Sequence, residues 1–315
     1  MILNQRETSY YNLDVRKNRN YQINIVTPSD KYIEVAGGKL EKRVVESEEI
    51  IIAPPFTITM SIDRNVLASC NSVKITINNL SEKTRMKLIK DQYTFSEYWS
   101  MRIKAGYGDY MNQIFKGNIQ TAYSYKQNTE WITEIEGYDG IYAMQNGFVS
   151  MTAQKNTSYR DMLGSVINTM PKVIKGAIGE KGNETTGDRG FVVFGKSGDV
   201  LKKYGADNNY IDEEKVFLLD RGEYVGDEAL IIDSDHLLAS PKRRDAYVEC
   251  ELMFTPEVKI GYLADLNSVF PVYNGQYIIQ SIKHKFEWSS SACGEAKTTL
   301  GLYCGTKIFQ KVAAQ

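Results

Sequence analysis

Strict alternation of apolar and polar residues recurs along this 315-residue chain and constrains its fold more than any other feature. In residues 56–62, FTITMSI, the side chains of Ile58, Met60 and Ile62 fall on one face. Because successive side chains of a strand point to opposite faces, this pattern predicts a strand with one buried side. The same alternation occurs in residues 73–77, 99–105, 113–125 and 130–138, and again in several runs after residue 245. The sequence therefore predicts a protein dominated by half-buried β-strands.

The pattern changes between residues 145 and 235. Residues 157–170, TSYRDMLGSVINTM, carry apolar side chains at helical spacing, and Thr157 or Ser158 can cap the free N–H groups at the start. A Gly-rich loop is predicted at 176–190. The next segments are predicted to be a strand at 191–195, a helix at 199–205 and a strand at 215–219. We interpret this region as a small α/β unit.

Two β-rich blocks thus flank one α/β block, and the fold class predicted is a β-rich α+β protein. Strands at this spacing, joined by short turns, favour barrels or sandwiches. We expect two similar, tube-like β-barrels with the small α/β domain between them. The predicted domains are an N-terminal arm with the first barrel (1–146), the α/β domain (147–232) and the second barrel (233–315), and the barrels are allowed to exchange strands.

Composition excludes several classes of function. With 38 Lys and Arg against 39 Asp and Glu, the net charge is -1, so no general attraction to nucleic acid or to an anionic membrane is expected. The N-terminus, MILNQRETSYYNLD, lacks a signal-peptide core, and no apolar run is long enough to span a bilayer. We expect synthesis in the cytoplasm without membrane insertion. The cysteines form no C-x-x-C pair, so no metal site is predicted.

Residues 190–197, GFVVFGKS, satisfy the phosphate-loop pattern G-x-x-x-x-G-K-[ST], which ends in Gly195, Lys196 and Ser197. In a working loop the four residues after Gly190 curl so that their N–H groups point at phosphate. Here those four are Phe, Val, Val and Phe, which favour an extended strand. A nucleotide hydrolase using this stretch remains an alternative function.

Other catalytic patterns are weak. The chain has two histidines, and His284 shares its strand parity with Ile282 and Phe286, which predicts a partly buried strand histidine. His236 lies beside acids that are its close sequence neighbours, whereas catalytic triads are assembled from separate segments. A cell-wall hydrolase that uses paired carboxylates stays open, because the many acids supply pairs of which none stands out. No catalytic residue and no cofactor is predicted.

Charge is distributed unevenly in the second half. Acids outnumber bases strongly from 207 to 235, a run that includes Asp212, Glu213 and Glu214. Directly after it stands PKRRD, with three adjacent basic residues, Lys242, Arg243 and Arg244. Both segments are interpreted either as solvated faces or as docking surfaces for partners of opposite charge.

The order and spacing of several segments resemble bacteriophage baseplate hub proteins. In the first half these are the strand at 56–64, the run ITINNLSEKTR at 75–85, AGYGD at 105–109, IFKGNI at 114–119 and WITEIEGYDG at 131–140. In the second half they are PEVKIG at 256–261 and the strand that carries His284. The resemblance covers residues 50–305.

The resemblance implies a structural, non-enzymatic virion protein of a phage or phage-like tail, made in the host cytoplasm. In that family two similar barrels per subunit form a homotrimeric, pseudo-sixfold ring between the hexameric tail tube and the trimeric spike. The implied partners are the tail tube protein, the spike, the tape-measure protein, the baseplate wedge proteins and DNA in transit. The spike hubs of type VI secretion and the tail-associated lysins share the fold, and contractile and non-contractile tails are not distinguished.

Ring assembly gives the remaining features a role. Asn78 and Asn79 tolerate the turn that ends a strand, Ser81 can cap the following helix, and Glu82 meets its positive end. That helix is expected to pack against a neighbouring subunit. Arg102 and Lys104, on the polar face of their strand, are expected to line a channel or to face a neighbour.

Overall fold

The computed structural model describes residues 18–28, 30–35, 39–44, 46–67, 70–90, 97–291, 294–305 and 309–313. The first third of the chain is built of strands with one short helix. In chain order these are β1 (Arg19–Val26), β2 (Asp30–Val35), β3 (Lys39–Val44), β4 (Glu49–Ile52), β5 (Ile58–Asn65), β6 (Ser72–Asn78), α1 (Glu82–Lys87), β7 (Ser100–Tyr107), β8 (Tyr110–Gln127) and β9 (Glu130–Tyr138).

Helices and short strands alternate in the middle third. They are α2 (Ile141–Asn146), β10 (Phe148–Ala153), α3 (Tyr159–Asn168), β11 (Ile174–Ile178), β12 (Phe191–Lys196), α4 (Ser197–Tyr204), β13 (Asn208–Asp212), β14 (Lys215–Leu219) and β15 (Glu223–Val225). None of the four helices in the described part of the chain is long and apolar enough to cross a membrane.

The last third returns to strands. They are β16 (Ala229–Asp233), β17 (Lys242–Arg244), β18 (Tyr247–Met253), β19 (Leu263–Asn267), β20 (Gly275–Trp288), β21 (Ala296–Tyr303) and β22 (Gln310–Val312). The protein is therefore mostly β, as the alternation predicts.

Thirteen of these strands form one sheet, in which β17, β18, β21, β20, β5, β6, β9, β8, β7, β1 and β4 lie side by side. β19 pairs with the first residues of β20, and β16 pairs with β19. The described strands do not close into a barrel, so the prediction of two separate, similar barrels is not confirmed. Strand β20 belongs to both parts of the sheet, because its 14 residues pair with β21 on one edge and with both β19 and β5 on the other. The two parts therefore share a strand and are not separate.

The period-two faces predicted from sequence are confirmed in β5 and β7, whereas burial along β8 does not alternate strictly, because irregularities shift its register with β7 and β9. In β5 the side chains of Ile58, Met60 and Ile62 are almost fully buried, and in β7 Met101 and Ile103 are buried in the same way. Intervening polar side chains point outward, which is the expected arrangement for a sheet with one solvated face. The predicted helix is confirmed as α3, where the Ser158 hydroxyl accepts from the Asp161 N–H at 3.1 Å.

Buried apolar side chains gather in three cores. The first core collects side chains from β1 and β4–β9. The second collects those from β16 and β18–β21, together with single residues of β11, β13, β14, β15 and β22. The α/β core lies among α2–α4 and β10–β14. β20 contributes to two of them, because Phe286 belongs to the first core and Ile282 to the second. The domain limits at 146 and 232 remain predictions.

Small sheets complete the α/β region. β11 and β14 are parallel, and β13 runs antiparallel to β14. β10 and β12 form an antiparallel pair, as do β2 and β3. Residues 176–178 belong to β11, so the start of the predicted Gly-rich loop is a strand instead. β15 pairs in parallel with β22, which joins the end of the described chain to its middle third.

Candidate functional site

A row of polar side chains crosses the outer face of β1, β7 and β8. Arg102 and Lys104 are exposed on β7, and they alternate with Met101 and Ile103, which point into the first core. In the register, Arg102 lies opposite Asn24 of β1 and Lys116 of β8. The two predicted cations therefore lie together on one solvated face.

Glu82 lies at the start of α1, in the position the sequence predicts. Asn79 adopts φ 59°, Leu80 is buried in the first core, and the Ser81 hydroxyl accepts from the Thr84 N–H at 3.2 Å. Glu82 follows in the first turn and is exposed, where a carboxylate favours the positive end of the helix. Met86 on the same helix is 66% exposed, so α1 presents both charge and apolar surface to solvent.

Asp212 does not lie on the acidic surface that the sequence predicts. It is 8% exposed and accepts two hydrogen bonds from Arg64, at 2.9 Å from Nε and 2.6 Å from Nη2. Asn71 donates a further bond to it at 3.0 Å. This bidentate pair joins β5 to the end of β13 inside the protein, since a planar guanidinium matches a carboxylate in two parallel bonds. Asp212 is thus a buried link within the chain.

A second carboxyl group lies beside this pair. Asp139, at the end of β9, is 1% exposed and accepts from the Glu214 N–H at 3.1 Å. Burial raises the pKa of Asp139 well above its usual range, and the neighbouring charge of Asp212 raises it further. Asp139 thus has a raised pKa and lies beside an Arg64 guanidinium whose charge is paired with Asp212.

Glu213 and Glu214 form the turn between β13 and β14, with φ values of 52° and 63°. Glu214 is half-buried, contacts Lys116 of β8 at 2.5 Å and accepts a hydrogen bond from the Tyr98 hydroxyl. Burial raises the pKa of Glu214 to about 7 and lowers that of Lys116, whereas the contact between the two opposite charges opposes both shifts. The turn thereby fastens the α/β region to the first part of the sheet.

Lys242, Arg243 and Arg244 make up β17, which we call the basic strand. All three side chains are exposed, and within the described residues none of them forms an ion pair. β17 stands at one end of the sheet and pairs with β18 along one edge only. The basic strand therefore offers three cations together with backbone groups on its outer edge.

A cavity of about 470 Å³ lies where the three regions of the chain meet. Its wall combines the start of β8, the turn residue Glu213, strand β16 and the loop that follows β18. Glu213, Glu228 and Glu257 supply three carboxyl groups to this wall. We call it the acidic cavity.

The phosphate-loop pattern does not form a phosphate loop. Residues Phe191–Lys196 are an extended strand paired antiparallel with β10. Ser197 begins α4, is fully buried, and shares a hydrogen bond with the Thr169 hydroxyl at 2.7 Å. The stiff, bulky residues after Gly190 stay extended, as predicted, so successive N–H groups do not converge on one point.

A comparison with protein families matches residues 41–291 to the family described as Baseplate hub gp41. This chain belongs to the baseplate hub gp41 family. No curated protein matches the sequence. The hub's fold also resembles solved structures of tail and secretion proteins, all at low sequence identity.

The tail protein from Neisseria meningitidis MC58 is 10% identical, with a TM-score of 0.52 over 90% of this chain and 96% of that one. The 43 kDa tail protein of prophage MuSo2 from Shewanella oneidensis is 11% identical, with a TM-score of 0.51 over 90% and 98%. The E. coli c3393 protein, a component of the type VI secretion system, is 8% identical, with a TM-score of 0.51 over 81% and 75%. At these identities the likeness shows a shared fold.

The hub's two histidines have structural surroundings. His284 is fully buried in β20, and its Nδ1 lies 3.0 Å from the Thr298 hydroxyl. Burial lowers the pKa of His284 to about 3, with a smaller contribution from Arg64, so the ring is neutral at physiological pH. The ring Nδ1 of His236 accepts from the backbone N–H of Asp233 at 2.8 Å. Among the described residues no group of His, Cys, Asp and Glu is arranged to hold a metal ion.

Sequence reasoning missed Arg64, Asp139 and the acidic cavity of this hub. A signal for Arg64 was available, because it shares the parity of Ile58, Met60 and Ile62 and so points to the apolar side of β5. A charged residue on a buried face predicts a buried partner. Asp139 and the cavity depend on segments that are distant in sequence and gave no comparable signal.

Proposed function

We propose that this chain forms a homotrimeric ring that joins the hexameric tail tube to a trimeric spike and encloses part of the central channel. The observation that carries the proposal is the pair of cores placed side by side on one continuous sheet. We call each of these two cores, with its strands, a lobe. Two lobes in each of three subunits give six lobes around the axis, which suits a sixfold tube above and a threefold spike below. Closed cyclic assemblies of this kind are common among oligomers.

The partners follow from the proposed position in the tail. They are the tail tube protein, the spike, the tape-measure protein, the baseplate wedge proteins and DNA in transit. Membership of a baseplate hub family supports a place in the tail. The E. coli structure, described as similar to the T4 tail proteins gp27 and gp5, supports a fold used in tails.

Arg102 and Lys104 are proposed to face the channel or a neighbouring subunit. Their exposure on a sheet face, together with Lys116, supports a surface that attracts the phosphate backbone of passing DNA. Replacing both by Glu is expected to slow DNA ejection from assembled particles while trimers still form. Normal assembly together with normal ejection would remove both residues from the channel.

The proposed ring is tested by light scattering of the purified chain, followed by electron microscopy with the tail tube protein. A mass three times the 35.8 kDa of one chain, and threefold rings that cap the tube, are expected. A chain that stays monomeric alone and does not cap the tube would overturn the adaptor role. For the Arg102 and Lys104 experiment, the control for nonspecific charge effects is Lys202→Glu, on the exposed side of α4.

The proposed hub has no catalytic step. The extended backbone of β12 and the buried Ser197 hydroxyl support this view for the nucleotide-hydrolase alternative. The wild-type chain and Lys196→Ala are expected to show equal, negligible ATP binding by calorimetry. The chain is also expected to leave purified cell wall intact, and clearing of that substrate would revive the hydrolase alternative.

A further inference from the structure

We propose that the acidic cavity of one subunit receives the basic strand of a second copy of this chain, so that neighbouring subunits of the ring are joined by a charged contact. The inference rests on the proposed homotrimer and names the residues that close it. It also commits to one occupant, the segment Lys242–Arg244 of a neighbouring subunit.

The wall of the acidic cavity has an excess of negative charge. Glu213, Glu228 and Glu257 face it from three different segments, and Glu228 is exposed at its rim. Lys259 also lines the cavity, but its ammonium group lies 5.5 Å from the centre of the Tyr262 ring, where a cation is attracted to the aromatic face. The cavity therefore favours a cationic occupant.

Two buried polar atoms of the wall lack a hydrogen-bond partner within the described residues. They are Oε2 of Glu257, which can only accept from an occupant when ionised, and Nδ2 of Asn112, which can only donate. Burial raises the pKa of Glu257, because a desolvated carboxylate is less stable than the neutral acid. An occupant that both donates and accepts would satisfy these two atoms.

The basic strand has the required chemistry. The guanidinium groups of Arg243 and Arg244 donate to carboxylates, and the backbone carbonyl groups on the outer edge of β17 accept from an amide. Within the described residues these cations form no ion pair, and none of them lines the cavity of its own chain. The contact is therefore assigned between two copies.

A contact between two different patches is heterologous, and such contacts generate closed rings when the rotation between copies closes. A self-complementary twofold contact would instead place the same patch on both sides. The separation of cations on β17 from carboxylates around the cavity thus agrees with a cyclic trimer and gives every subunit one donor patch and one acceptor patch.

The first test compares oligomer mass by light scattering for the wild-type chain and three variants. Arg243→Glu with Arg244→Glu alters the basic strand, and Glu228→Lys with Glu257→Gln alters the cavity without adding volume at the buried position. The matched control, Lys202→Glu with Lys203→Glu, makes the same charge change on exposed positions of α4. Thermal melting of each variant confirms that it is folded.

The trimer mass is expected for the wild-type chain and the control, and monomers are expected for each of the two altered chains. Mixing the two altered chains is expected to give mixed dimers, because the native basic strand of one fits the native cavity of the other. A closed ring of three would still contain one contact between like charges, so trimers are not expected from the mixture. Folded variants that remain trimers would overturn the proposed contact and leave the trimer itself standing.

The second test separates the contact from ring formation if the wild-type chain is monomeric in solution. The full chain is titrated into a fluorescently labelled peptide of residues 239–246, ASPKRRDA, and binding is followed as a rise in fluorescence anisotropy. Binding that falls at least tenfold in Glu228→Lys/Glu257→Gln, and is unchanged in the exposed control Asp188→Lys, supports the proposal. Absence of peptide binding to the monomer, or equal binding to all three chains, overturns it.

Discussion

Arg64 shows how one side chain can tie two regions of the hub together. It stands on the buried face of β5, in line with Ile58, Met60 and Ile62, and reaches Asp212 across 148 positions of sequence. A buried charge is costly unless it is paired and hydrogen-bonded, so the position of the α/β region is constrained by this pair. Asp139 remains beside it as a carboxyl group with a raised pKa.

Replacing Arg64 by Met is expected to lower the free energy of unfolding by about 3–5 kcal/mol, because the buried Asp212 loses its counter-charge. Urea unfolding at pH 7 measures the change. Lys74→Met provides the control, since Lys74 pairs with Glu136 at 2.8 Å on the solvated face and is expected to matter little. A loss for Arg64→Met no larger than that of the control would contradict a structural role for the buried pair.

His284 makes stability depend on pH. Its pKa is about 3 in the folded protein and 6.5 in the unfolded chain, so between these values the unfolded state binds more protons. The contribution of His284 to the free energy of unfolding is therefore complete above pH 6.5. As pH falls from 6.5 towards 3, this contribution decreases by about 1.4 kcal/mol per pH unit.

His284→Gln is expected to remove this part of the pH dependence. The measurement is the difference in free energy of unfolding between wild type and variant at pH 7 and at pH 5, which should shrink or reverse at the lower pH. The difference is used because Asp139, with its raised pKa, contributes a slope of opposite sign in both proteins. A difference that does not change with pH would show that folding does not lower the pKa of His284.

At the scale of elements, local sequence determines where strands and helices begin. α1 is six residues long and buries none of them, so its stability depends on its ends. The Asn79 turn and the Ser81 hydroxyl supply the start, and Leu80 and Leu88 on either side are buried in the first core. We propose that this helix contacts a neighbouring subunit of the ring.

Ser81→Ala is expected to destabilise α1 by about 1 kcal/mol, because the Thr84 N–H loses its acceptor. Hydrogen exchange of the Thr84 and Arg85 amides should then become about five times faster. Ser81→Asp should keep the wild-type rate, since a carboxylate also caps and also favours the positive end of the helix. Equal exchange in Ser81→Ala and wild type would mean that packing alone holds the helix.

Strand β11 shows where local reasoning fails at this scale. Gly176 weakens a strand interior, and a Gly-rich segment is typical of a loop. The segment nevertheless pairs in parallel with β14, where Ala177 and Ile178 are buried. Long-range pairing and burial outweigh the local preference of glycine here.

At the scale of the whole molecule, β20 joins the two large cores. It carries Ile282 into one and Phe286 into the other, so the lobes share a strand instead of forming independent barrels. Local unfolding of either lobe then exposes part of the other.

Phe286→Ala is expected to cost about 3–5 kcal/mol, since it empties a fully buried position. Hydrogen exchange should speed up in both lobes, including β18 and β21 of the second core. Val192→Ala, at a position of β12 that is 66% exposed, serves as a comparison in which neither lobe is expected to change. Faster exchange confined to β1 and β4–β9 would indicate two independent units.

Local sequence predicts the strand faces of β5 and β7, the start of α1 and α3, the extended backbone at residues 191–194 and a partly buried strand position for His284. These depend on side-chain periodicity and on residues three or four positions apart, so they can be read locally. The tertiary structure alone decided the order of the thirteen strands, the sharing of β20, the burial of Asp212 and the acidic cavity. Those features depend on which distant segments meet. The free energy of burying charge and apolar surface at such contacts cannot be inferred from any single stretch of the chain.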